Sequence, residues 1–219
     1  VQLLARGITL HEGRSTQLLV GPTGSGRSTI LKRLGSLLRA EGYVTLLQDA
    51  TELTRLKTDS AYSSELQLRL ALGNKLEWRP PVVFADDAIL ADSNGQQGDI
   101  QKTLIEFLLH ERRPARLDGF DVVVVVPSWL EEYRARCEAL YDGFVTVPPI
   151  PLSETGLAVL ETLVARRLPT WSRLLDTPER LRRVLRASEG VPGTLLRILR
   201  KLAELAGLAE RLPVDDTTL

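Results

Sequence analysis

The sequence predicts an α/β fold, a parallel β-sheet covered by helices on both faces, followed by a small all-helical lid. Three observations lead there. Short apolar runs alternate with segments of helical spacing between residues 17 and 147, the order that βαβ crossovers produce. One of those runs, Val122 to Val126, is five consecutive valines, which reads as a strand buried on both faces. After the stretch VPPIPLSE only helical patterns follow. The expected division is therefore an α/β domain over 1–150 and a helical lid over 151–219.

The first strand, residues 17–20 (QLLV), runs straight into VGPTGSGRST, residues 20–29. From Thr29 to Ala40 apolar residues recur at Ile30, Leu31, Leu34, Leu37 and Leu38, which is helical spacing. Glu41-Gly42 closes this helix, and Tyr43 to Leu47 is the second strand. Residues 60–76 carry a weak helical pattern. Pro80-Pro81 forces an extended approach to the third strand, Val82 to Ala85. A helix is expected over 100–110, ended by Pro114; the valine run is the fourth strand. Trp129 to Leu140 reads as a helix and Phe144 to Val147 as the fifth strand. In the lid, helices are expected over about 153–168, 177–188 and 194–210. Ser153 with Glu154 and Thr177 with Glu179 are their start signals, the latter with Pro178 at the first helical position.

Composition narrows the function classes. A chain of 219 residues buries one sizeable core and a satellite. No apolar run approaches bilayer length, so no membrane partner is expected. The single cysteine, Cys137, excludes a disulfide framework or a cysteine zinc site, and His11 and His110 lie too far apart to suggest a zinc centre. The net charge is zero, yet residues 153–211 hold 11 basic and 7 acidic side chains. Of the 28 basic residues 23 are arginine, which suits phosphate recognition, although an arginine-rich genome produces the same count. The chain starts at Val1 and contains no methionine, as expected of a processed chain or a piece of a longer one.

The chemistry centres on Gly21-x-x-x-x-Gly26-Arg27-Ser28, placed after a strand and before a helix. Gly24 and Gly26 permit backbone conformations that turn N–H groups onto phosphate oxygens, and the helix start adds its dipole. The candidate nucleotide-binding residues are Gly21, Pro22, Thr23, Gly24, Ser25, Gly26, Arg27, Ser28 and Thr29. Ser28 is the expected hydroxyl ligand of Mg²⁺. Arg27 stands where such loops carry lysine, and a wide planar guanidinium does not replace a compact ammonium at a close-fitted site. Binding is expected to survive this change better than hydrolysis, which depends on close placement. Asp86, at the end of PVVFADD, is the expected second Mg²⁺ ligand, directly or through water. Asp87 takes the place of the carboxylate that polarises the attacking water, one methylene shorter than glutamate. Ser128, just past the valine strand, is a candidate γ-phosphate sensor. NKLE, residues 74–77, is set aside as a guanine reader because it follows a helix and ends in Glu77. The nucleotide is therefore GTP or ATP, or the diphosphate.

Strand, phosphate loop, VVFADD, Ser128 and helical lid together resemble the AAA+ and STAND branches of the P-loop NTPases over nearly the whole chain. EGVPGTLLRIL, Glu189 to Leu199, looks like that family's Gly-x-Pro-Arg turn, with Gly193 at the arginine position and Arg197 one turn later as a substitute. Arg134 and Arg136 lie where a finger arginine for a neighbouring subunit would sit. Within this branch the order of LLQDATEL, DDAILADSNG and VTVPPIPLSE is similar to the death-associated GTP-binding proteins of the mitochondrial small ribosomal subunit. That resemblance implies a nucleotide held as a structural element with weak or no hydrolysis. It also implies ribosomal RNA and ribosomal proteins as partners and a mitochondrial matrix location. The alternative is an AAA+ ATPase acting on DNA, of the origin-recognition or transposition-helper type, or a STAND-type switch. Its partners would be DNA or further copies of the chain, and its location cytoplasmic. Arg180, Arg182, Arg183 and Arg186 on one lid helix, with Arg197, Arg200 and Lys201 on the next, form either a solvated face or a phosphate-contacting patch.

Overall fold

Five parallel strands form the sheet of the computed structural model, which describes residues 1–11, 15–49, 79–86 and 121–208. They are β1 (Thr16–Gly21), β2 (Tyr43–Asp49), β3 (Arg79–Asp86), β4 (Asp121–Pro127) and β5 (Gly143–Thr146), in the spatial order β2-β3-β4-β1-β5. All five expected strands are present, each shifted or extended by a few residues. Every residue of β1 is buried, and so is β4 up to Pro127. Burial on both faces is why these two strands read as unbroken apolar runs. The helical patterns at 60–76 and 100–110, the NKLE stretch and Asp87 lie outside the described residues.

Two carboxylate contacts, one buried and one part-buried, fix where β1 begins. The Ser15 N–H donates to Asp121 Oδ1 at 2.8 Å, and the Thr16 N–H donates to Asp142 Oδ2 at 2.7 Å. A helix that the sequence pattern does not show, α1 (Gln2–His11), precedes β1. Leu4 and Ile8 bury its inner face against Leu31, Leu34, Leu38 and Phe84. Gln17, on β1 and only 2% exposed, donates from Nε2 to the Leu4 carbonyl at 3.2 Å and to Ser15 Oγ at 3.0 Å.

β3 begins earlier than expected and runs through Pro80 and Pro81. Its pairing with β2 explains how. Tyr43 opposes Arg79 and Thr45 opposes Val82, so β3 carries one extra residue there. A bulge leaves that backbone outside the ladder, where a residue without an N–H costs no hydrogen bond.

The expected helix over 129–140 is corrected. Ser128–Tyr133 is a 3₁₀ helix and only α3 (Arg134–Leu140) is α-helical. No side chain caps the 3₁₀ segment at Pro127, and Tyr133 leaves helical geometry at φ −103°, ψ 14°. Trp129 meets Tyr133 edge-on at 6.5 Å within it. Cys137 on α3 is buried, and burial pushes its thiol above the ordinary range, which makes it a packing group rather than a nucleophile.

Contacts divide the chain into two compact units, Val1–Thr23 with Arg27–Val147, and Gly24–Gly26 with Pro148–Leu219. The second unit holds α4 (Glu154–Arg167), α5 (Trp171–Leu174), α6 (Pro178–Ala187) and α7 (Pro192–Leu208). Ser153 Oγ accepts from the Gly156 N–H, and Thr177 Oγ1 accepts from the Arg180 N–H, each at 3.3 Å. Both start signals therefore act as N-caps. The unread helix α5 is a single turn, too short for a period to show. Leu160, Val164, Leu181, Leu185, Leu195 and Leu199 form the core of this unit.

Gly190 closes α6 with φ 74°, and its carbonyl accepts from the Ile150 N–H at 2.8 Å. A Cβ there would lie 2.0 Å from the Ile150 carbonyl oxygen. Gly190→Ala therefore costs about 1–3 kcal/mol from the left-handed φ alone, with the overlap added. The expected outcome is a thermal midpoint lower by at least roughly 4 °C. Gly207→Ala, on α7 with nothing within 4 Å of its Cβ, is expected to leave the midpoint unchanged or raise it, since alanine is the better helix former. Differential scanning calorimetry of both variants checks this.

Candidate phosphate-binding site

The strand register brings Gly21, Asp86 and Ser128 to one edge of the sheet. Gly21 opposes Pro127 across the β1–β4 ladder, so Ser128 follows directly beside the start of the glycine loop. Ala85 opposes Val124, which places Asp86 at the same carboxyl edge, one strand beyond β4. Parallel α/β sheets bind their ligands outside that edge. The order β3-β4-β1 means that the acidic strand and the loop strand are not neighbours; the valine strand lies between them.

Between β1 and α2 (Arg27–Ala40) the loop makes its turns at Gly24, φ 85°, and Gly26, φ 96°. Only glycine takes up these angles without strain. Among the described residues, the N–H groups of Thr23, Gly24 and Gly26 enter no backbone hydrogen bond outside helices and strands. The Ser25 hydroxyl oxygen is buried without a hydrogen-bond partner. Donors left over in a tight turn before a helix N-terminus are what an anionic ligand requires.

α2 starts two residues earlier than expected, which puts Arg27 and Ser28 in its first turn. Arg27 is 6% exposed, and its Nη1 donates to the Val126 main-chain carbonyl at 2.5 Å. The guanidinium is therefore tied to the end of β4. Nothing in the sequence announces this partner, because the contact joins residues 99 positions apart. Ser28 is half-buried and opens onto a groove of about 190 Å³ between α2 and the β2–β3 side of the sheet, lined also by Leu31, Lys32, Thr45 and Phe84. Pro22 is half-buried, and Thr23, Thr29 and Ser128 are exposed.

The other arginines singled out by the sequence fall into different settings. Arg134 is held by its own unit: it pairs with Glu131 at 3.0 Å and Glu138 at 3.7 Å, donates to Thr146 Oγ1 at 3.0 Å, and lies 4.8 Å from the Phe144 ring centre. Arg136 is exposed. Arg197 is exposed, with a long contact of 3.4 Å to Thr194 Oγ1. Within the second unit, the Gly193 N–H donates to the Gly24 carbonyl at 2.8 Å, and a Cβ on Gly193 would come within 2.6 Å of Gly24 Cα. Backbone packs on backbone here, which no side chain at position 193 permits.

No family model and no curated protein matches the sequence. Among solved structures, the chain is similar to the ORC2 protein of Aeropyrum pernix, solved as ADPNP-ADP complexes, with a TM-score of 0.55 and 15% identity. It is also similar to a point variant of RuvB from Thermotoga maritima, with a TM-score of 0.51 and 14% identity. Each match covers 99% of this chain, which spans 65% and 64% of those chains, less than two thirds of either. The fold is that of the AAA+ P-loop proteins. No described helix is long and apolar enough to cross a membrane.

The Arg27–Val126 contact makes a specific demand. A hydrogen bond from a charged group contributes about 1.5–3 kcal/mol, so Arg27→Met is expected to lower the thermal midpoint of the ligand-free protein by roughly 3–12 °C. Were the guanidinium only a phosphate ligand, the ligand-free midpoint would stay where it is.

Proposed function

We propose that this protein binds a purine nucleotide, GTP or ATP, on the glycine loop and holds it with weak or no hydrolysis. The observation that carries the binding is the loop itself, with Gly24 and Gly26 in the left-handed region, the N–H groups of Thr23, Gly24 and Gly26 without a backbone bond, and a buried Ser25 hydroxyl. Such donors, with the dipole of α2 behind them, suit the β-phosphate of a nucleotide. Ser28 in the first helical turn and Asp86 at the end of β3 would hold Mg²⁺, which supplies charge neutralisation between the phosphates. Ser128 is our candidate sensor of the terminal phosphate, and Asp87, outside the described residues, our candidate for polarising the attacking water.

Weak turnover follows from Arg27. Phosphoryl transfer draws its rate from charges placed closely on the reacting group, and this cation is committed to a main-chain carbonyl. Asp87 in place of a glutamate lowers the rate further. The mitochondrial ribosomal role that the sequence resemblance suggests gains no support from the comparisons, nor does the mitochondrial location. The AAA+ reading is supported as well as nucleotide binding is, and an AAA+ ATPase acting on DNA is our second reading. Co-purification with small-subunit ribosomal RNA argues for the first, and nucleotide-dependent ring or filament formation for the second.

Mg²⁺-nucleotide at 100 times its Kd is expected to add about 2.7 kcal/mol, a rise in thermal midpoint of roughly 5–10 °C. Ser28→Ala should remove the Mg²⁺-dependent part of that rise. The absence of any shift with ATP, GTP or their diphosphates overturns the proposal. Turnover should lie far below about 10 s⁻¹, and Arg27→Lys combined with Asp87→Glu should raise it. A native rate near that figure rules out the storage role and favours the motor reading.

A further inference from the structure

Charge is unevenly placed in this neutral chain. Residues 148–208 hold ten arginine and lysine against six aspartate and glutamate, although the whole chain balances at zero. The sharpest concentration is on α6. Its apolar residues Leu181, Val184 and Leu185 are all buried at 2% exposure or less, while Arg182, Arg183 and Arg186 are exposed. At 100° per residue Arg182 and Arg186 are 40° apart, and Arg183 completes a sector of about 100° that also contains Glu179.

The partners available within the protein do not use up this charge. Arg180 faces elsewhere and is paired with Asp176 at 2.7 Å. Among the described residues Arg182 meets Glu154 alone, at 3.9 Å, with side chains 61% and 84% exposed, and such a pair contributes next to nothing in water. Arg183 has a partner of its own. Arg186 is in the last turn, where it complements the helix dipole, but Arg182 sits a full turn earlier, where that explanation fades.

We infer that the exposed face of α6, centred on Arg182 and Arg186, is a contact surface for the phosphodiester backbone of a nucleic acid. Three features select this partner. Guanidinium groups bind phosphate oxygens through paired N–H donors, and these two sit about 6 Å apart along the helix, within reach of nearby phosphates on one strand. The apolar face of α6 is spent on the core of its own unit, so the helix has nothing to insert into a lipid surface. The exposed face presents Pro178, Glu179, three arginines and Ala187, with no aromatic or large aliphatic anchor of the kind a protein interface is built around. The contact positions a backbone and reads no bases. It does not depend on the state of the glycine loop.

Fluorescence anisotropy of the whole chain with labelled 20-base-pair duplexes of DNA and of RNA, between 50 and 200 mM salt, tests this. The wild-type protein should bind with a Kd tighter than about 10⁻⁴ M, weakening with salt. Arg182→Gln with Arg186→Gln removes two phosphate contacts, which should lower the salt slope by about 1.8 and so remove about 12-fold of the loss over that range. The charge-matched control is Arg166→Gln with Arg167→Gln, at the far end of α4 from Glu154, and it should bind like wild type. Preference for one duplex identifies the nucleic acid. No duplex binding, an unchanged slope in the α6 variant, or an equal loss in the control overturns the inference. So does binding to vesicles containing phosphatidylserine without binding to either duplex. If the double variant fails to fold, Arg186→Gln alone should lower the slope by about 0.9.

Discussion

The parallel pairing of β1 with β4 is the constraint on which the site depends. It runs in unbroken register from Thr16 opposite Val122 to Gly21 opposite Pro127. Both strands are covered on both faces, so alternating side chains fill two separate cores and a slip of one residue would exchange them. The same slip would carry the loop about 3.3 Å along the sheet. Ser128 would leave the level of Gly21, and Arg27 would lose the Val126 carbonyl. The site geometry at the sheet edge is inherited from packing in its interior.

Arg27 shows two demands meeting on one side chain. A buried cation is costly to desolvate unless a strong acceptor meets it, and the carbonyl that ends the valine run is such an acceptor. The bond joins the first turn of α2 to β4 and so braces the loop without any ligand. A group with that task is not at liberty to follow a reacting phosphate. The departure from lysine thus trades chemical reach for a preformed cradle.

Much of this was legible in the sequence, for physical reasons that differ by element. The strands stood out because burial on two faces demands consecutive apolar residues, and two helices of the second unit because Ser153 and Thr177 are caps in the chemistry of their side chains. The glycine loop was legible because its angles exclude most other residues. α1 was hidden: Leu4 and Ile8 are fully buried on it, Leu3 and Leu10 are exposed, and Gly7 breaks the propensity. The 3₁₀ segment was hidden too, since its spacing imitates the α-helix that follows. The partner of Arg27 and the charge-bearing face of α6 needed tertiary structure, one for a contact across 99 residues and the other to separate the buried face of the helix from the exposed one.

The proline pair in β3 has a consequence for how the sheet finds its alignment. Among the described residues, β2 is at the border of the five strands, with β3 as its one neighbour. Border strands are where sheets most readily slide or recruit strangers. Two adjacent nitrogens without hydrogen act as a keyed gap in the ladder. An alignment that slides this pair further along β2 sets a carbonyl against a nitrogen that cannot donate. Alignment at this border is therefore encoded by absent hydrogens as much as by the side chains that fill the core.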